Sequence, residues 1–307
     1  MNQPAASRSK FSIWLQAVRP FSFTASLVPV LVGGMLALSF QGGTAWGLFP
    51  LVIICSVMYQ AATNLISEYF DYKKGVDQDY SFGSSRVIID GLLSAKQVLL
   101  GGWFIFAVSC ALGLILVAFR GLPMLVLGLI GLAGGYFYSG KPVGFKYFAL
   151  GDILVFILMG PLMVIGSYFA LTGDYNSTVL FLSLPVGCLV AAILHANNTR
   201  DIVHDAAAGA KTFANLLGHS TAKLEYLFLV LAAYLSILLM VGTKVVPIWS
   251  LFVFLSLPVA LKNIKAIFAS RPGQPQEIAM LDIQTAQLHF LFGILLSLSL
   301  VIAALVA

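Results

Sequence analysis

Apolar residues fill most of the chain in long stretches, broken by short polar interruptions. Nine such stretches are legible, at about 20–40, 46–70, 98–119, 121–139, 149–171, 178–197, 224–242, 246–268 and 286–306. An α-helix rises ~1.5 Å per residue, so about 20 apolar residues cross the hydrocarbon core of a bilayer. The pattern therefore predicts an all-α polytopic membrane protein of about nine transmembrane helices. Polar connections alternate in character. Those around QGGTA, RGLP, TGDYNS and GTKV are short, whereas 71–97 and 198–223, on the other side, are longer and more polar.

Composition sharpens this picture. The chain of 307 residues is 60% hydrophobic, has a mean hydropathy of +0.96 and is only 9% charged, against about 25% charged residues in an ordinary soluble domain. No stretch suits a separate soluble domain, so residues 1–307 read as one membrane domain. The first 19 residues lack a short apolar run with a cleavage site and read as a cytoplasmic N-terminal segment. With nine spans and the N-terminus inside, all of the 17 Lys and Arg residues except Arg120 and Lys244 fall on the inner side. Positive charge marks the cytoplasmic face. The expected placement is a bacterial inner membrane, N-terminus cytoplasmic and C-terminus outside.

The net charge of +5 is thus mostly a topology signal. No basic patch interleaved with aromatics points to nucleic acid, and nothing points to an obligate protein partner. Cys55, Cys110 and Cys188 stand singly in apolar spans without metal-ligand spacing, so they read as small core residues.

Acids are scarce, and their placement carries the chemistry. All 12 except Asp174 lie in or beside the inner half. In NLISEYFDYKKGVDQD, Asn64, Ser67, Glu68 and Asp71 fall three or four residues apart and can share a helix face. Asp77 and Asp79 follow the helix-ending Gly75. In NNTRDIVHDAAAGAK, Asp201 and Asp205 share a face, with Asn197 one turn earlier and Asn198 beside it. His204, on another face, reads as a polar loop residue. Acids where a chain leaves the bilayer are costly to place and so are functional candidates. Carboxylates and amides at two such sites suit magnesium, and magnesium suits a diphosphate. Candidate metal ligands are Asn64, Ser67, Glu68, Asp71, Asp77, Asn197, Asn198, Asp201 and Asp205. Arg200 and Lys211 flank the second cluster and Arg86 follows the first, where they could grip phosphate. YFYSGKPVGFKYFALGD places Tyr136, Tyr138, Lys141, Lys146, Tyr147 and Asp152 around the next inner loop, where the lysines and tyrosines could hold phosphate or orient an aromatic acceptor, or could anchor the headgroup zone.

These residues resemble the UbiA superfamily of intramembrane aromatic prenyltransferases over most of the chain. The likeness is greatest to the 1,4-dihydroxy-2-naphthoate polyprenyltransferases of menaquinone synthesis. It is carried by NL…D…KG.D at Asn64–Asp77, RVIIDGLLS at Arg86–Ser94, GDILVFILMGPLMVIGSYFALTG at Gly151–Gly173 and NNTRDIVHDAAAGAKT at Asn197–Thr212. Where the family's first motif usually carries asparagine, this chain has Ser67, and Glu68 replaces the commoner aspartate.

The resemblance implies helices around a central cavity open toward the cytoplasmic face and magnesium-dependent transfer from a polyprenyl diphosphate to an aromatic acid acceptor. With dihydroxynaphthoate, diphosphate and CO2 would be released. Asp71, Asp201, Asp205 and Lys141 are then the expected catalytic residues, with Arg86, Lys141, Tyr138, Tyr147, Arg200 and Lys211 toward substrate. Hydroxybenzoate- and homogentisate-type acceptors belong to relatives with the same metal motifs. An ion-coupled secondary transporter is the reading from another class, but it wants acids near the bilayer midplane. Phosphatidyl transfer would want a D-x-x-D-G-x-x-A-R run, which is missing around Asp90 and Gly91.

Overall fold

The computed structural model describes residues 8–40, 44–78 and 84–306, so Asp79 of the first acidic cluster lies outside the described residues. Among these the chain is helical without a strand. A short helix α1 (Lys10–Ala17) is capped by the Ser9 hydroxyl. The bundle follows as α2 (Thr24–Phe40), α3 (Phe49–Lys74), α4 (Ala95–Ser139), α5 (Gly151–Ile157) running through a wide turn at Pro161 into α6 (Met163–Thr172), and α7 (Ser177–Arg200). Two short helices, α8 (Ile202–Ala207) and α9 (Phe213–Leu217), lead to α10 (His219–Gly242). The last elements are α11 (Leu257–Ala269), entered through a tighter helical turn at 248–256, and α12 (Leu281–Val306).

Among the described residues, eight helical elements are long and apolar enough to cross a membrane. The longest, α4, is two crossings. At Gly121 the backbone leaves helical geometry with φ 69° and ψ −156°, a region that glycine enters without steric cost. The rings of Trp103 and Tyr136 lie 5.2 Å apart, although 33 residues of straight helix would separate them by about 50 Å. The chain therefore reverses at Gly121, and among the described residues the eight elements make nine spans, as the hydropathy pattern predicts. Both halves of this hairpin pack on α3: Tyr59 stacks edge-on against Phe106 and donates its hydroxyl to the Gly131 carbonyl.

The main core joins α2, α6, α7, α10 and α12, through Val28, Leu36, Tyr168, Leu189, Tyr226, Ile237 and Phe292, all nearly fully buried. Small residues let these helices approach closely. A Cβ on Gly160 would come within 2.6 Å of the Gly187 backbone, so α7 lies tight against the α5–α6 junction, as small residues allow between membrane helices. That contact positions the site: α7 carries the second acidic cluster down one side of a cavity, and α3 carries the first down the other.

Candidate active site

The cavity has a volume of about 220 Å³ and opens at the end of the bundle where α3 and α7 finish. From α3 it takes Gln60, Thr63, Asn64, Ser67 and Asp71, a stripe at helical spacing, and from the turn beyond it Asp77. Asn197, Asn198, Asp201, His204 and Asp205 face it from α7 and α8. The second cluster holds its spacing across the break between these helices, because the Asp205 amide donates to the Asp201 carbonyl at 2.8 Å. Arg19, Tyr138, Lys146, Tyr147 and Asp282 complete the polar wall.

Asp71 is held through both of its oxygens. Its Oδ2 accepts from Lys146 Nζ at 2.6 Å and from the Ser67 hydroxyl at 3.0 Å, while Oδ1 accepts from the Tyr147 hydroxyl at 2.7 Å. Ser67 also accepts from Ser139 and from Lys146. Asn64 spends its amide hydrogens on the Val18 carbonyl and the Ser22 hydroxyl, and its carbonyl oxygen takes the amide of Gln60.

Five expectations need correcting. Glu68 does not face the cavity. It sits 1% exposed behind α3, ion-paired with Arg19 and accepting both the amide and the hydroxyl of Ser85. The helix puts it about 100° around from Ser67, so it fastens the segment before α2 to the loop after α3. Lys141 is exposed and off the cavity. Helix α4 stops at Gly140, and the chain swings outward until Gly144, at φ 66°, turns it back. The lysine that returns over Asp71 is therefore Lys146, five residues on. Arg86 lies at the surface against Asp90 at 3.0 Å, and Lys211 is exposed, with its backbone carbonyl taking the Ala149 amide. Arg200 is buried behind the second cluster, forked between Asp201 at 2.7 Å and Asp282 at 3.0 Å, so both N–H edges of its guanidinium are occupied.

Sequence reasoning missed Arg19, His204 and Asp282 as cavity residues. Asp282 could have been found as a lone acid in the first turn of an apolar helix. Arg19 carried no local signal, since its partner lies 49 residues away.

The donor set suits a hard divalent cation. The groups that converge are carboxylate and amide oxygens with no thiol among them, the ligands magnesium prefers. One of them is left wanting: Asp77 Oδ2 is sealed from solvent without a hydrogen-bond partner. Burial and then Asp71 push the Asp77 carboxyl up to about 8. Burial and then Asp201 push Asp205 up to about 7. Negative charge is thus crowded beyond what Arg19 and Lys146 offset, and a bound cation would relieve it.

Against the polar chamber lies a second cavity of about 360 Å³, almost wholly apolar, between α2, α3, both halves of α4 and α6. The two share Leu158 and Met159 as wall.

A helical membrane bundle with paired acidic clusters around one chamber defines an intramembrane transferase architecture. Residues 26–291 match the UbiA prenyltransferase family, and the chain belongs to that family of membrane-embedded prenyltransferases. It is 34% identical to 1,4-dihydroxy-2-naphthoate octaprenyltransferase of Bacillus subtilis, over 95% of this chain and 92% of that one. It is also 34% identical to a UbiA prenyltransferase domain-containing protein 1 homolog of Drosophila melanogaster, over 93% and 78%. Among solved structures, the apo UbiA homolog from Aeropyrum pernix K1 superposes with a TM-score of 0.70 at 17% identity, covering 93% of this chain and 98% of that one. The UbiA homolog from Archaeoglobus fulgidus bound to GPP and Mg2+ gives 0.58 at 16%, covering 93% and 99%.

Proposed function

We propose that this enzyme moves a polyprenyl group from its diphosphate to 1,4-dihydroxy-2-naphthoate with magnesium as cofactor. The observation that carries the reading is the opposition of two acidic clusters across one chamber, with Lys146 against Asp71 between them. Asp71, Asp77 and Asn64 would hold one ion and Asn197, Asn198, Asp201 and Asp205 the other. Bound there, magnesium neutralises the diphosphate and makes it a better leaving group. Lys146 and Arg19 supply positive charge to the same oxygens. Lys146 can turn from Asp71 to phosphate without leaving its place. Tyr138 and Tyr147 line the chamber beside it, with the Lys146 ammonium 5.5 and 5.4 Å from their ring centres and Lys74 3.7 Å from that of Tyr147, so their rings steady the cations that would meet the diphosphate. The neighbouring apolar cavity takes the isoprenoid tail, since its wall is continuous with the chamber at Leu158 and Met159.

The acceptor assignment is supported by the Bacillus subtilis relative and its stated substrate. In that reaction the ring carbon that carries the carboxylate bonds to the prenyl C1, and diphosphate and CO2 leave. The N-terminus and the open end of the chamber are assigned to the cytoplasmic side on the distribution of Lys and Arg. Purified protein incubated with magnesium, one labelled prenyl diphosphate and a panel of aromatic acids tests the assignment. Mass spectrometry is expected to find the label on the naphthoate product with one carboxyl lost. Label on a hydroxybenzoate or homogentisate acceptor instead would replace the acceptor, and no labelled lipid would remove the activity.

A further inference from the structure

Away from the chamber, three helices bring another set of ionisable groups together inside the bundle. Asp152 stands in the first turn of α5, His195 in α7 and Glu225 near the start of α10, and one ligand-capable atom from each lies within 4.8 Å of the others. His195 is fully buried, and the side chains of Asp152 and Glu225 are 5% and 16% exposed. The transfer reaction uses none of the three.

The hydrogen bonds of His195 fix its tautomer. Nε2 lies 2.8 Å from the Ala222 carbonyl, which can only accept, so Nε2 carries a proton. Nδ1 then aims between Asp152 Oδ2 at 3.3 Å and Glu225 Oε2 at 3.6 Å. Glu225 Oε2 is sealed from solvent and has no hydrogen-bond partner. A lone pair and two carboxylate oxygens around one point repel each other in an apolar interior unless positive charge sits among them. Among the described residues neither acid is ion-paired to any base except His195.

A proton on Nδ1 is one candidate for that charge. It would leave one net negative charge buried, across contacts longer than the ~2.7–2.9 Å of a charge-assisted N–H···O bond. A divalent cation with a neutral imidazole gives neutrality instead. Donors bound tetrahedrally at ~2.0–2.2 Å stand about 3.3–3.6 Å from one another, which is the spacing found from Nδ1 to each acid. An imidazole whose other nitrogen donates to a backbone carbonyl is also oriented as metal-binding histidines are.

We propose that Asp152, His195 and Glu225 form a buried site for a zinc-class divalent cation, separate from the acids that face the chamber. One nitrogen and two carboxylates leave a fourth position open, and the mixed donor set favours zinc, cobalt or manganese over magnesium. The ion ties α5, α7 and α10 together. It also reaches the chamber indirectly, because the other oxygen of Asp152 accepts from the Asn198 side-chain amide at 3.0 Å, which leaves the Asn198 carbonyl oxygen free to face the cavity.

The test uses the full chain purified in detergent without chelator. Elemental analysis is expected to find ~1 equivalent of zinc-class metal per chain that survives gel filtration in metal-free buffer. Cobalt exchanged into the protein should give the visible bands of a low-symmetry four-coordinate site. Glu225→Gln, close to isosteric, should lose both signals, whereas Asp205→Asn in the chamber should keep both. Should Glu225→Gln not fold, the wild type and Asp205→Asn still decide the matter through a cobalt-dependent rise in melting temperature. Wild-type protein that neither carries metal nor takes up cobalt overturns the site and leaves a proton-bridged triad. Full cobalt signals in Glu225→Gln, or their loss in Asp205→Asn, overturn it as well.

Discussion

Lys146 Nζ lies 2.6 Å from Asp71 Oδ2, a contact between the turn before α5 and the last turns of α3. Under the proposed function the lysine would serve two anions in turn, the aspartate first and then a phosphate of the bound diphosphate. Lys146→Met is expected to lower kcat/KM by ~10²–10³-fold, the scale for losing a positioned electrostatic donor. Lys141→Met should leave kcat/KM unchanged. Equal effects of the two substitutions, measured with saturating magnesium, would reverse the assignment.

Replacing Asp71, Asp201 or Asp205 by Asn one at a time should abolish detectable turnover while the protein elutes and melts as a folded species. The three side chains line one chamber from two helices, so the loss should not depend on which cluster is altered. Normal turnover in any two variants at limiting magnesium would remove the two-cluster mechanism.

Glu68 serves structure instead of metal binding. Glu68→Ala leaves Arg19 without its partner, and breaking a buried ion pair from one side costs ~3–5 kcal/mol. A clear fall in melting temperature is expected, with no change in the magnesium concentration that half-saturates the surviving activity. A shifted magnesium curve at unchanged stability would return Glu68 to the metal site.

The buried acids set a pH dependence. In the ion-free protein Asp77 is pushed up to about 8 and Asp205 to about 7, from 3.8. A raised folded pKa contributes stability that is present below the unfolded value and is lost as pH rises through the folded one. The metal-free enzyme should therefore lose stability as pH climbs through 7 and 8. Over the same window magnesium competes with fewer protons, so its apparent affinity should rise. Melting temperatures with excess magnesium and with chelator should diverge from about pH 6 to about pH 9. A gap that stays constant would show that these carboxyls do not meet the ion.

Orientation can be tested at two exposed positions, Tyr175 in a loop and Gln276 in the short helical turn before α12. In a background without Cys55, Cys110 and Cys188, Tyr175→Cys should react with an impermeant thiol reagent applied to intact cells. Gln276→Cys should react only after lysis. The opposite result would invert the topology.

Much of this molecule is legible in its sequence, for physical reasons. Spans are set by the cost of exposing backbone to lipid, a local and strong signal, so even the reversal at Gly121 shows as a polar RGLP between apolar runs. Asp71, Asp201 and Asp205 show because acids are rare in such a chain and helical spacing groups them. What stays hidden is decided by turns and by distant partners. Lys141 and Lys146 look alike in sequence, and only the outward swing at Gly140 and the return at Gly144 tell them apart. Glu68 shares an apparent stripe with Asn64, yet Arg19 and Ser85 claim it from behind. The set Asp152, His195 and Glu225 spans three helices, and its members are separately unremarkable.

The hairpin at Gly121 bears on how the protein is made. Its tip carries one charge, Arg120, whose guanidinium ends on the Ala170 and Leu171 carbonyls at the close of α6. Those acceptors are synthesised some fifty residues later. When the two arms enter the bilayer, Arg120 must cross it unaided, at ~2.5–3.5 kcal/mol for an arginine at the centre of a helix. The flanking apolar arms can offset that cost, and they share it because Arg120 sits at the turn that joins them. The third and fourth spans are thus one unit of membrane insertion, and a charge added to either arm should trap the whole hairpin on the side where it was made.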